Sequence, residues 1–183
     1  MPPESSAAED AMKRFGGPAL FLDRSDINTD EIIPAKYLTE HAKVDLKPYI
    51  LEDLNLTGFD PRGAAVRGAG VLVARANFGC GSSREHAVWV LEVNDINVVI
   101  AESFARIFRQ NMFNCGLLAI ELPKEAIDSL FELDDAVDVH VDIGNKVITA
   151  RNGQERTFAF SLNPFDEELV KAGGWLAYAN EKY

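Results

Sequence analysis

Cysteine is scarce in this chain, with only Cys80 and Cys115 in 183 residues. They form no C-x-x-C pair and match no metal-ligand spacing. A reducing, cytoplasmic setting is the expectation, without a disulfide. Histidine is scarce too. His41, His86 and His140 stand far apart in sequence, and none is placed like a metal ligand. No apolar run approaches the roughly 20 residues of a membrane span. Positive charge is short: 18 Lys and Arg face 29 Asp and Glu, a formal charge of −11. That balance argues against nucleic acid and anionic membrane as partners. Residues 1–14 carry acids and lack the apolar core of a secretory signal. Residues 1–15 therefore read as a mobile N-terminal tail, and residues 16–183 as one domain.

What is present supports a real core, because 47% of the residues are hydrophobic. Ala19-Leu20-Phe21-Leu22, Val71-Leu72-Val73-Ala74, Asn97-Val98-Val99-Ile100-Ala101 and Gly116-Leu117-Leu118-Ala119-Ile120 read as short buried strands. Helical spacings separate the last three. Strand–helix–strand–helix–strand implies right-handed crossovers and parallel neighbours. The pattern changes after Pro123, which opens a helix with Ala126, Ile127, Leu130 and Phe131 inward. Val137, Val139 and Val141 alternate with acids and His140. Gly144-Asn145 and Asn152-Gly153 then predict an antiparallel meander. Asn163-Pro164 starts a further helix, and Trp175, Leu176 and Tyr178 mark a short last one. The expected fold is α/β, with a parallel βαβαβ core, an antiparallel meander in the same mixed sheet and flanking helices. Residues 39–70 are the least periodic part. A short helix is expected after Pro48, and mostly loop from Asn55 to Gly70.

The chemistry is concentrated in Asn77-Phe78-Gly79-Cys80-Gly81-Ser82-Ser83-Arg84-Glu85-His86, a strand-to-helix turn. Gly79 and Gly81 allow tight or positive-φ backbone. Ser82 or Ser83 can cap the new helix. A helix start offers free N–H groups to an anion, and Arg84 adds a fork that fits a carboxylate. The plain alternative is a glycine-rich turn whose serines only cap. Further on, Ser103 can cap a helix that turns Phe104, Ile107, Phe108 and Met112 inward, with Arg106 and Arg109 off that face and Arg109 solvated. Upstream, Asn28-Thr29-Asp30 has two readings: a polar turn before a strand that Pro34 ends, or a segment that brings Asp30 to face the Ser82 turn. A calcium loop is excluded there, because the glycine and terminal glutamate it needs are missing.

Asn77 to His86, Glu102-Ser103-Phe104-Ala105-Arg106-Ile107-Phe108, Asn28-Thr29-Asp30-Glu31-Ile32-Ile33-Pro34 and Gly173-Gly174 together resemble the swivel domain of the aconitase superfamily. The likeness runs from about Ala19 to Tyr178. It is strongest to the 3-isopropylmalate dehydratase small-subunit family. The resemblance implies a hydro-lyase acting on a malate-type di- or tricarboxylic acid. It places a [4Fe-4S] cluster in a separate large subunit, with no metal and no cofactor in this chain. Two cysteines cannot supply the three thiolates such a cluster needs. By motif position Ser82 is the catalytic base, and Ser83 and Arg84 bind substrate. Thr29, Asp30 and His86 support them, and Tyr37, Leu38 and Thr39 fall in the segment that sets specificity. No arginine follows Tyr37-Leu38, which favours an apolar substituent, hence 3-isopropylmalate and 2-isopropylmalate in leucine biosynthesis. Homoaconitate and 2,3-dimethylmalate stand as alternatives. A non-catalytic anion-binding module is the alternative of another class.

Overall fold

The computed structural model describes residues 13–40 and 42–183. Most of the tail expectation, and His41, lie outside the described residues. Lys13 to Phe15, the end of that tail, are docked: the Asn97 amide donates to the Arg14 carbonyl at 3.0 Å, and Phe15 packs on the core.

One sheet of seven strands organises the chain. They are β1 (Gly16–Leu22), β2 (Val71–Ala74), β3 (Val98–Ala101), β4 (Leu118–Glu121), β5 (Asp138–Asp142), β6 (Val147–Arg151) and β7 (Glu155–Ala159). Their spatial order is β4-β3-β2-β1-β5-β6-β7. The first four are parallel, with Ala19 opposite Val71, Val71 opposite Val98 and Val98 opposite Leu118. β5 joins β1 antiparallel, and β6 and β7 continue the meander.

The helices are α1 (Thr29–Ile32), α2 (Ala64–Gly68), α3 (Glu85–Val93), α4 (Arg106–Asn114), α5 (Lys124–Glu132), α6 (Pro164–Ala172) and α7 (Trp175–Lys182). The crossovers α3 and α4 cover the parallel strands, so β2 and β3 are buried along their whole length. α4 ends in a left-handed Gly116, with φ +76°. Gly173 and Gly174 lie against it: a Cβ on Gly116 would sit 2.6 Å from the Gly173 carbonyl carbon. The second glycine pair thus belongs to the α4–α6 packing. None of the described helices is long and apolar enough to cross a membrane.

Three local expectations are corrected. Residues 29–32 form the one-turn helix α1, not a turn running into a strand. Asn28 caps it, and Glu31 returns the bond, a capping box. The segment at Pro48 is a 3-10 helix, Lys43–Tyr49, that lies before Ile50 rather than after Pro48. Residues 55–70 hold α2, and Val66 is buried there together with Leu46, Ile50, Leu51 and Leu54 from the segment before it. Weak periodicity hid a stretch that feeds the core through single side chains.

Candidate active site

The site is built at the carboxyl ends of three adjacent parallel strands. The chain leaves β1 into Asp23–Asn28, β2 into Arg75–Arg84 and β3 into Glu102–Ala105. In open parallel sheets these ends are where loops converge on a ligand. Backbone bonds stitch the three exits together. The Gly79 N–H donates to the Ile27 carbonyl at 2.8 Å, and Thr29 N–H donates to the Cys80 carbonyl at 2.9 Å. Phe78 N–H donates to the Ser103 carbonyl at 3.1 Å, and Ala105 N–H donates to the Phe78 carbonyl at 2.9 Å.

Glycine is required in this turn. Gly79 has φ +81°, and a Cβ there would lie 2.2 Å from the Phe108 ring. Phe108 also meets Phe78 edge-on, with centroids 5.5 Å apart. The turn is therefore pinned from below by aromatic packing and from the side by β1.

The serines do not cap. α3 begins at Glu85, with Arg84 at the capping position and no side-chain cap bond. Ser82 and Ser83 stand exposed at the tip of the turn. No hydrogen bond within the described residues uses the N–H groups of Gly81, Ser82, Ser83 or Arg84. Successive free amides of this kind suit a developing negative charge. Ser103 does not cap either: its hydroxyl accepts from the Asn77 N–H at 2.8 Å, and α4 begins later, after Ala105 in extended backbone. Ser103 has a closer partner at another strand exit, whereas Ser82 and Ser83 lie before the capping position, which Arg84 holds.

Thr29 and Asp30 reach the same turn. Thr29 is 2% exposed, and its hydroxyl donates to the Ser82 carbonyl at 2.8 Å. Asp30 pairs with Arg84 through one guanidinium nitrogen. Of the two readings of this segment, the structure has the one in which Asp30 faces the turn. A cavity of about 420 Å³ opens beside it. Thr29, Ser83, Arg84 and Arg106 form its polar wall, and Ala105, Ile107 and Phe108 its apolar wall. Ser82 stands next to this cavity rather than in its lining.

Ile107 departs from its expected core position: it is 57% exposed at the cavity. The helix starts at Arg106, two residues later than the spacing suggested, and its inward face is Phe108, Met112 and Phe113. Arg109 departs the other way. Its Nε is buried without a hydrogen-bond partner, 3.8 Å from Glu121, and its guanidinium lies 5.0 Å from the Phe113 ring centroid.

Other candidates lie outside the cavity. Tyr37 stacks on Tyr49, with centroids 3.9 Å apart. The neighbouring Glu52 carboxylate pushes its phenol up to about 12, so it stays protonated. Neither it nor Leu38 and Thr39 lines the cavity. His86 lies over Trp89 at 4.5 Å between ring centroids. Burial raises both thiols, Cys115 to about 11, so neither is a thiolate at neutral pH. Among the described residues, no group of three or more His, Cys, Asp or Glu is placed to hold a metal.

Two residues at the site escaped the sequence reading. Glu31 is held below the usual carboxylate range, first by its hydrogen bonds from Arg24 and then by the Asn55 and Asn28 N–H groups. Asn28-x-x-Glu31 is a readable capping signature. Arg24 carried no comparable signal.

The chain is similar to known proteins along most of its length. The Aconitase C-terminal domain family model matches residues 62–125. The 3-isopropylmalate dehydratase small subunit of Deinococcus deserti is 43% identical over 156 residues, 85% of this chain and 81% of that protein. That of Aquifex aeolicus is 40% identical over 162 residues, 86% of this chain and 89% of the relative. The crystal structure of a 3-isopropylmalate dehydratase from Methanocaldococcus jannaschii superposes with a TM-score of 0.76 at 32% identity, covering 92% of this chain and 94% of the other. With such identity along most of both chains, and the motif turn in place at the strand ends, the protein belongs to the 3-isopropylmalate dehydratase small-subunit family of the aconitase superfamily.

Proposed function

We propose that this chain supplies the base and the carboxylate contacts of a cytoplasmic hydro-lyase that interconverts 3-isopropylmalate and 2-isopropylmalate in leucine biosynthesis. Its partner is a large subunit carrying a [4Fe-4S] cluster. The observation that carries the reading is the meeting of Thr29-Asp30 with Ser82-Ser83-Arg84 across two strand exits.

Ser82 takes the proton from the carbon next to the one that loses hydroxide. A free serine is far too weak an acid to work as an alkoxide. The unpartnered amides of Gly81 to Arg84 and the nearby guanidinium are the groups that would stabilise that charge. Thr29 fixes the Ser82 carbonyl and so limits where the side chain can point. Arg84 gives one nitrogen to Asp30 and keeps further donors for a substrate carboxylate. Ser83 lines the cavity beside it. The partner's cluster supplies a Lewis acid for the departing hydroxyl.

Arg84 and Arg106 in the lining would meet the two carboxylates of a malate, which leaves the apolar wall of Ala105, Ile107 and Phe108 for an alkyl substituent rather than a third carboxylate. It supports isopropylmalate over homoaconitate. The test is anaerobic reconstitution with the large subunit and assay on isopropylmalate, homoaconitate and 2,3-dimethylmalate. Turnover of isopropylmalate at the highest kcat/KM is expected. Faster turnover of either other acid would overturn the substrate. No turnover of any would favour an anion-binding module.

A further inference from the structure

Arg24 is the most fully used side chain near the site. A guanidinium has five N–H donors, and all five are engaged. Nε donates to the Ser25 carbonyl at 3.2 Å. Nη1 donates to the Asn55 carbonyl at 2.8 Å and to Glu31, and Nη2 donates to the Asp26 carbonyl at 3.0 Å and to the other Glu31 oxygen. Glu31 also accepts from the Asn55 N–H at 3.1 Å. One ion pair thus ties together the β1 exit, α1 and the start of the 55–63 loop.

The tie matters because α1 cannot hold itself. It has four residues, and isolated helices below about 12 residues are marginal in water. Yet α1 carries Thr29 and Asp30, the partners of Ser82 and Arg84. We infer that Arg24 and Glu31 are positioning residues for the reaction: the fork between them orients α1, and α1 sets the Ser82 turn through Thr29. The inference rests on the hydro-lyase reading above. Neither residue lines the cavity, so they act only through α1.

The test is a double-mutant cycle in the assembled enzyme with isopropylmalate as substrate. Arg24→Lys keeps the charge and loses the fork. Thr29→Val removes the hydroxyl that holds the Ser82 carbonyl. Each single change is expected to lower kcat about 10-fold, since small misplacements of reacting groups are costly. Because both act on the same contact, the double variant should also lose about 10- to 20-fold, not the roughly 100-fold of independent effects. Rates are read well below each variant's melting temperature, so a merely structural loss leaves kcat unchanged. A kcat for Arg24→Lys within about twofold of wild type overturns the inference, as does a multiplicative double variant. If Arg24→Lys does not assemble, Glu31→Gln replaces it under the same two criteria. A wild-type complex without turnover refutes the proposed function instead. An active wild type with a normal Arg24→Lys refutes this inference alone.

Discussion

The parallel and antiparallel halves of the sheet are built from similar short strands but carry different loads. β2 and β3 are buried at every position, whereas β5 alternates buried valines with exposed Asp138 and His140. In the first half β2 and β3 are covered on both faces, and in the second β5 is covered on one. The loops differ accordingly. The first turn of the meander is closed locally, with Asp142 accepting from the Asn145 N–H at 3.0 Å, and the Asn152 turn also reaches the Leu133 carbonyl through its side-chain amide. The exits of β1, β2 and β3 are closed by one another, through Ile27–Gly79, Cys80–Thr29 and Phe78–Ser103. A turn satisfied by its neighbours in sequence has nothing left to offer a ligand. A turn braced from other strands can leave its tip free, and Ser82 and Ser83 occupy such a tip.

The sharpest way to break this contrast is Ser82→Ala. Among the described residues only the Ser82 carbonyl is used, so fold and assembly should be unchanged. Loss of the proposed base should lower kcat about 1,000-fold with little change in KM. Near-normal kcat would move the base elsewhere. Ser83→Ala should keep its melting temperature, since Ser83 caps nothing, and should raise KM instead.

Next in size is Arg84→Lys. An ammonium cannot make the two-point carboxylate contact, and a rise in KM of about 30-fold is expected. Unchanged steady-state kinetics of the reconstituted enzyme would remove Arg84 from substrate binding.

Two glycines compare the halves directly. Gly79 and Gly153 both have positive φ, but a Cβ on Gly79 would strike Phe108 at 2.2 Å while one on Gly153 meets nothing within 4 Å. Gly79→Ala should cost about 3 kcal/mol or more in urea unfolding, combining backbone strain with a core clash. Gly153→Ala should cost about 1 kcal/mol, from the backbone alone. Equal costs would mean that the site turn is not braced by Phe108.

The smallest effect is on pH dependence. Glu31 and Asp142 are both held below the ordinary carboxylate range, Glu31 chiefly by Arg24 and Asp142 chiefly by the Asn145 N–H. A depressed folded pKa contributes stability above the unfolded value, and that stability is lost as pH falls through the folded one. The stability gap between wild type and Glu31→Gln should be full at neutral pH. It should shrink below about pH 4.3, the unfolded carboxyl value. The gap for Asp142→Asn should be smaller, because Asp142 is braced by its own hairpin alone. A gap for Glu31→Gln that is independent of pH would show that its charge is not what the Arg24 contact uses.

Much of this was legible in the residues themselves. Val71–Ala74 and Val98–Ile100 are apolar throughout because helices cover both faces, and Val137, Val139 and Val141 alternate because water covers one. Asn152-Gly153 announced its hairpin, since Gly153 takes a φ of +95° that few other residues tolerate. The motif from Asn77 to His86 announced the turn because its glycines take the positive φ that the turn uses. What failed were statements about partners. Ser103 was read as a cap and bonds Asn77, 26 positions away. Ile107 was read as core and faces the cavity, and Arg109 was read as solvated and is half-buried over Phe113.

Composition, strand and helix periods, turn chemistry and the presence of the Ser82–Arg84 motif are local properties, set by φ/ψ preferences and burial along the chain. Which serines stand free, which arginine is tied to Glu31, and where Thr29 donates its hydroxyl are properties of three loops from three strands. A side chain takes the partner that the packed strands bring nearest. Thr29 meets Ser82 across 53 positions of sequence only because β1 and β2 lie side by side.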